Sequence, residues 1–141
     1  MNEFQQSVPM LFYRALHGIM PPFRRLFAEH DLTEQQWRVI RVLWQQDHQP
    51  LLKLAELTLL PSPSLVGVVD RMERDGLVVR QRSSEDRRVV QVRLTDRGRE
   101  LQEQVAPQVE GIYRTLETKL DAEEWQVLRR ALSKLGDGYG H

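Results

Sequence analysis

Between residues 71 and 99 the chain carries nine arginines (71, 74, 80, 82, 87, 88, 93, 97 and 99) against five acids (73, 75, 85, 86 and 96). That is a local excess of four positive charges in a sequence whose formal net charge is zero. Guanidinium groups present a planar fork of donors that fits phosphate, and they enter narrow minor grooves well. The chemistry on offer is therefore the holding of a polyanion. Arg87 and Arg88 end the polar stretch Ser83-Ser84-Glu85-Asp86-Arg87-Arg88, which lies between two alternating, β-branched runs at 77–82 and 89–94. This pattern predicts a β-hairpin with a basic tip. Upstream, Ser62-Pro63-Ser64-Leu65-Val66-Gly67 opens a helix in which Leu65, Val68, Val69 and Met72 supply the apolar side and Gly76 the C-cap. The hydroxyls of Ser62 and Ser64 suit base edges or phosphates, while Pro63, Val66 and Gly67 offer apolar contact or close approach to thymine methyl groups. Ser62 followed by Pro63 also fits a helix cap, and the two readings of Ser62 stand side by side. The candidate DNA-binding set is Ser62, Pro63, Ser64, Val66, Gly67, Arg71, Arg82, Arg87 and Arg88.

The surrounding sequence predicts the elements that position this set. A stripe of apolar residues from Val8 to Phe27 gives an amphipathic helix over 8–29, interrupted near Met20 by Pro21 and Pro22. Its aromatic-rich stripe serves either core packing or contact with a second copy of the chain. Thr33 and Gln36 form a capping box for a second helix, with Leu32 and Trp37 as its staple. A short helix follows Pro50, with Leu51, Leu52, Leu54, Ala55 and Leu57 on its apolar face, and Leu59-Leu60-Pro61 closes it. Two short helices about a tight, proline-marked turn make a helix-turn-helix. Thr95 caps a long helix carrying Leu101, Val105, Val109, Ile112, Leu116 and Leu120, which Pro107 should bend. Asp121 caps a final helix with Trp125, Leu128, Leu132 and Leu135 on one face, before a tail from Gly136 expected to fray. The fold expected is mainly α with a small β-hairpin wing: a winged helix-turn-helix flanked by long terminal helices.

At 141 residues the chain has the length of one ordinary domain. It has no cysteine, which excludes disulfides, thiolate metal sites and thiol redox chemistry. The four histidines, at 17, 30, 48 and 141, have no ligand-type spacing, and no Ser-His-Asp or phosphate-loop arrangement is present. No catalytic residue, metal or cofactor is expected, and the absence of a signal sequence points to a cytoplasmic protein.

Arg71-Met72-Glu73-Arg74-Asp75-Gly76-Leu77-Val78-Val79-Arg80, then Asp86-Arg87-Arg88 and Val92-Arg93-Leu94-Thr95-Asp96-Arg97-Gly98, resemble the MarR (multiple antibiotic resistance regulator) family. Two departures stand out: Met72 replaces the usual leucine, and Gly67 stands where many members carry a polar or basic base-reading residue. The resemblance implies a single MarR-type domain over 1–141, with a DNA-binding lobe at 32–95 and dimerisation helices at 8–29 and 96–136. It further implies a homodimer on a pseudo-palindromic operator, with Arg88 as the minor-groove arginine, Asp86 holding it, and Asp70 with Arg71 bracing the wing in the same network. Leu32-Thr33-Glu34-Gln35-Gln36-Trp37-Arg38 and the 71–78 stretch are most similar to the family's regulators of homoprotocatechuate (4-hydroxyphenylacetate) catabolism. That similarity implies repression relieved by a small aromatic acid held between the dimerisation helices and the DNA-binding lobe. The candidate ligand residues are Arg14, His17, Trp37, Arg38, Arg41 and Tyr113. A ligand-independent, architectural DNA-binding protein has the same sequence features, and loss of operator binding on adding ligand separates the two.

Overall fold

Side chains satisfy orphaned backbone N–H groups at the starts of the helices that open at Glu34, Asp96 and Ala122, which fixes those boundaries. The computed structural model describes residues 3–137. The elements run α1 (Glu3–Gln6), α2 (Val8–Ile19), α3 (Pro21–Glu29), α4 (Glu34–Gln45), β1 (Gln49–Pro50), α5 (Leu51–Thr58) and α6 (Ser62–Arg74). They continue through β2 (Val78–Arg82), β3 (Val90–Leu94), α7 (Asp96–Glu117) and α8 (Ala122–Gly136). The break expected at the double proline falls at Met20, between α2 and α3. Thr33 and Gln36 make the expected reciprocal capping box on α4, and Asp121 and Glu124 make another on α8. α7 continues through Pro107 as one helix. The glycine-rich tail, with His141, lies outside the described residues beyond Asp137.

The chain divides into two compact units, residues 31–107 and residues 1–30 with 108–141. In the first unit, Val39 and Ile40 of α4, Leu54 of α5, Val69 and Met72 of α6, Val78 of β2 and Val92 of β3 are all fully buried. One core thus joins the helix-turn-helix to the sheet. In the second unit Phe23, Leu26 and Phe27 of α3 and Val109 of α7 are buried, and the Phe23 ring lies 5.1 Å from that of Tyr113. No residue of α2 or α8 is buried.

The structure corrects the sequence reading at three places. The hairpin belongs to a three-stranded antiparallel sheet of order β1-β3-β2, in which Gln49 pairs with Val92 and Pro50 with Gln91. A two-residue edge strand containing proline has no periodic signal to read. The α5 face is narrower than expected: Leu54 is buried, but Leu52 is 80% exposed and Leu57 also lies at the surface. Ser62 is not a cap. Pro61 holds the N-cap position and no side chain bonds the first turn of α6, so Ser62 begins the helix itself with its side chain exposed.

The end of α6 is built as a Schellman motif. Gly76 takes φ +76°, its N–H reaches the Glu73 carbonyl at 3.1 Å, and Leu77 N–H reaches the Met72 carbonyl at 2.9 Å. Thr95 then stitches this end to α7: its hydroxyl donates to the Gly76 carbonyl at 2.6 Å and accepts from Gly98 N–H at 3.1 Å. A Cβ at Gly98 would run into the Leu77 carbonyl oxygen and crowd the Leu94 side chain. Gly98→Ala should therefore destabilise the protein by about 1–3 kcal/mol, the usual range for overpacking, measured by denaturant unfolding. Unchanged stability would show that the α7 entry relaxes freely.

Candidate nucleic-acid interface

α5 and α6 are separated by Leu59, Leu60 and Pro61, and their axes bend by 105°, within the range of a helix-turn-helix. Leu59 occupies the left-handed region (φ 58°, ψ 28°), roughly a 1–2 kcal/mol cost for a residue with a Cβ. The turn places Leu60 in the core while Leu59 stays exposed. Leu65, Val69 and Met72 face inward from α6, which leaves Ser62, Pro63, Ser64, Val66, Asp70 and Arg71 exposed and Gly67 half-buried. A Cβ at Gly67 would meet nothing within 4 Å, so the fold itself does not require glycine at that position.

The sheet forms the wing. β2 and β3 pair from Val78 with Leu94 to Arg82 with Val90. Across its tip, Arg82 Nη1 donates to the Arg87 carbonyl at 2.8 Å and Ser83 N–H to the Val89 carbonyl at 2.9 Å. Asp86 clasps Arg88 through three bonds: Arg88 Nε to Oδ1 at 3.0 Å, Nη2 to Oδ2 at 3.0 Å and backbone N–H to Oδ1 at 3.1 Å. The Arg88 side chain is nonetheless 91% exposed, so the clasp aims a guanidinium outward and does not bury it. Those bonds, the side-chain pair first and the backbone N–H second, hold the Asp86 carboxyl below its ordinary pKa, while Asp86 raises that of Arg88.

Asp70 is placed differently from the expectation that it joins the Asp86–Arg88 network. It accepts from Arg80 Nη2 of β2 at 2.5 Å, and Glu73 takes Arg80 Nη1 at 3.0 Å and the Arg80 backbone N–H at 2.9 Å. α6 is thus braced to the root of the wing by Arg80. Arg71 is exposed and forms none of these bonds. A second brace that sequence reasoning missed is Asp47: it accepts from Leu94 N–H at 3.0 Å and from Arg99 Nη2 at 2.6 Å, tying the end of α4 to β3 and α7. Its partners lie about fifty residues away, which leaves no local pattern to find.

The ligand candidates divide between the two units. Arg14, His17 and Tyr113 belong to one, and Tyr113 packs on Phe23. Trp37, Arg38 and Arg41 belong to the other, all on α4. Trp37 is buried. Arg38 grips Glu34 with Nε and Nη2 at 3.0 and 2.6 Å and gives Nη1 to the Thr58 carbonyl at 2.9 Å. Arg41 donates to the buried Gln102 at 3.2 Å. Among the described residues no group of three His, Cys, Asp or Glu is arranged to hold a metal ion, and no single helix is long and apolar enough to cross a membrane.

Residues 32–90 match the model of the MarR family. Over 128 residues, 91% of this chain and 86% of its relative, the sequence is 36% identical to the homoprotocatechuate degradative operon repressor of Escherichia coli. The chain belongs to the MarR family. Two solved structures similar to this chain are informative. NadR in complex with 4-hydroxyphenylacetate superposes with a TM-score of 0.79 at 30% identity, covering 93% of this chain and 96% of NadR. The transcriptional repressor CouR bound to a 23-mer DNA duplex superposes with a TM-score of 0.87 at 26% identity, covering 96% of each chain. The MarR wing signature thus has a physical content in this chain: Asp86 orients Arg88, and the Leu94-Thr95-x-x-Gly98 run joins sheet to helix through one hydroxyl.

The clasp contributes above the ordinary carboxylate pKa, near 4, and is lost as pH falls through the lowered native value. An NMR titration of the Asp86 carboxyl should show a midpoint below the usual range, and Arg88→Ala should raise it part of the way back, since the backbone N–H of residue 88 still bonds the carboxylate. A midpoint that ignores Arg88→Ala would dissolve the clasp. The same variant should fold normally, bind duplex DNA more weakly, and lose about one unit of the salt slope. Unaltered affinity by fluorescence anisotropy would remove the wing tip from the interface.

Proposed function

We propose that this MarR-family protein is a homodimeric repressor that binds a pseudo-palindromic operator and is released by a small aromatic acid. The observation that carries the reading is the exposed Arg88 guanidinium held by Asp86 beside a helix-turn-helix whose α6 presents Ser62, Ser64 and Val66. α6 acts as the recognition helix, and Arg71, Arg82 and Arg87 join Arg88 in contacting the duplex. In a dimer, two such helices enter successive major grooves about 34–36 Å apart. The dimerisation reading is supported by α2 and α8: Leu11, Phe12 and Leu16 on one and Val127, Leu128, Leu132 and Leu135 on the other are all exposed in the single chain. Apolar surface of that extent is what a second copy would cover. The protein acts in the cytoplasm and catalyses nothing.

The aromatic acid is supported by the relatives, a homoprotocatechuate operon repressor and a NadR complex with 4-hydroxyphenylacetate. An arginine from Arg14, Arg38 or Arg41 would pair the carboxylate, with Trp37, Tyr113 or His17 against the ring. The ligand acts by population shift, binding best to dimer conformations whose recognition helices are wrongly spaced. A second reading, a ligand-independent DNA-binding protein, draws on one observation. Arg38 already has both ends of its guanidinium engaged, by Glu34 and the Thr58 carbonyl.

The deciding experiment measures binding of the purified protein to its own upstream DNA at fixed salt, with 4-hydroxyphenylacetate or 3,4-dihydroxyphenylacetate present or absent. Stoichiometry is read by sedimentation. Two chains per duplex, with operator affinity weakened about 5–150-fold by either acid, are expected. Specific binding indifferent to both acids would favour the ligand-independent reading.

A further inference from the structure

Arg80 counts toward the positive excess of the interface, yet the structure gives its guanidinium to the protein's own acids. Nη2 meets Asp70 Oδ1 at 2.5 Å and Nη1 meets Glu73 Oε1 at 3.0 Å, while the Arg80 side chain is only 24% exposed. Asp70 and Glu73 sit three residues apart, on one face of α6. The Asp70 side chain is half-exposed, on the same helix as Ser64 and Val66 and next to Arg71. A carboxylate there would face the phosphates that the neighbouring arginines attract, and like-charge juxtaposition at an interface costs affinity and misdirects docking.

We propose that Arg80 is a positioning residue for DNA binding. It contacts no phosphate; it neutralises Asp70 and draws Asp70 and Glu73 toward the sheet, which keeps the carboxylates of α6 off the duplex. The proposal rests on α6 being the recognition helix. It separates Arg80 from Arg71, Arg87 and Arg88, which carry no such internal pair of acids. Its energetic weight lies in binding and not in stability, because all three groups are partly solvated and pairs of that kind stabilise a fold little.

The test uses the full chain and an operator selected from randomised duplexes by the wild-type protein. Three proteins are compared by anisotropy and thermal melting: wild type, Arg80→Met, and Arg80→Met combined with Asp70→Asn and Glu73→Gln. Arg80→Met should weaken operator binding about tenfold by uncovering the two carboxylates. The triple variant, in which nothing remains to be neutralised, should recover most of that loss, to within about threefold of wild type. Melting temperatures of all three should agree within about 4 °C. A guanidinium that bound phosphate directly would not be replaced by removing acids, so a triple variant as weak as Arg80→Met would overturn the proposal. So would undiminished binding by Arg80→Met itself, or a melting temperature that falls in step with affinity. If the wild-type protein selected no sequence from the pool, the DNA-binding reading beneath the proposal would fail instead.

Discussion

The Thr95 hydroxyl spends both its hydrogen-bonding capacities on joining three elements: it donates to the carbonyl of Gly76 at the end of α6 and accepts the N–H of Gly98 in the first turn of α7. Its own backbone N–H reaches the Leu77 carbonyl at 3.1 Å. α6, the sheet and α7 therefore meet around one side chain, and each bond closes a backbone group that would otherwise be left unpaired at a part-buried junction. Net, each bond is worth only about 1 kcal/mol. The geometric consequence is larger, because the direction of α6 relative to the wing follows from this junction. Gly98 has no Cβ because the Leu77 carbonyl occupies that space, and Gly76 takes a positive φ because the Schellman turn requires it.

Around that junction, carboxylates decide which arginines are free to act outside the protein. Asp47 holds Arg99, Asp70 and Glu73 hold Arg80, and Asp86 holds Arg88. The first two join elements to one another, Asp47 linking Arg99 of α7 to β3 and Asp70 with Glu73 linking α6 to β2. The third lies at the tip of a loop and leaves the guanidinium almost fully exposed. Equal residue types thus do different work according to what lies behind them. An ion pair at the surface adds little to stability, but a bidentate pair restricts a long side chain to one direction, which lowers the entropy lost when it meets a partner.

Much of this architecture was legible in the chain order of residues because it is local. Thr33 with Gln36, Asp121 with Glu124, and Gly76 act within one turn of the groups they satisfy, and the alternation at 78–82 and 90–94 reports a half-buried hairpin directly. The Asp86–Arg88 pair is equally local, two residues apart. β1 was not legible, since two residues have no period, and its pairing with Val92 and Gln91 is a contact across some forty positions. Neither was the freedom of Ser62: the sequence Ser-Pro suits a cap, but the chain enters α6 one residue earlier, at Pro61.

What the amino-acid sequence determined by itself is the helices from α2 onward and the two hairpin strands, the position of the basic tip and the likeness to the MarR family, because caps, turns and periodicity act over three or four residues. What only the tertiary structure decided is how the charges are assigned. Arg80, Arg88 and Arg99 are indistinguishable in composition, and their roles differ because Asp70, Glu73 and Asp47 reach the first and last of them only once α4, α6 and the sheet have packed. Coulombic pairing acts over a few ångströms in space, whatever the separation along the chain.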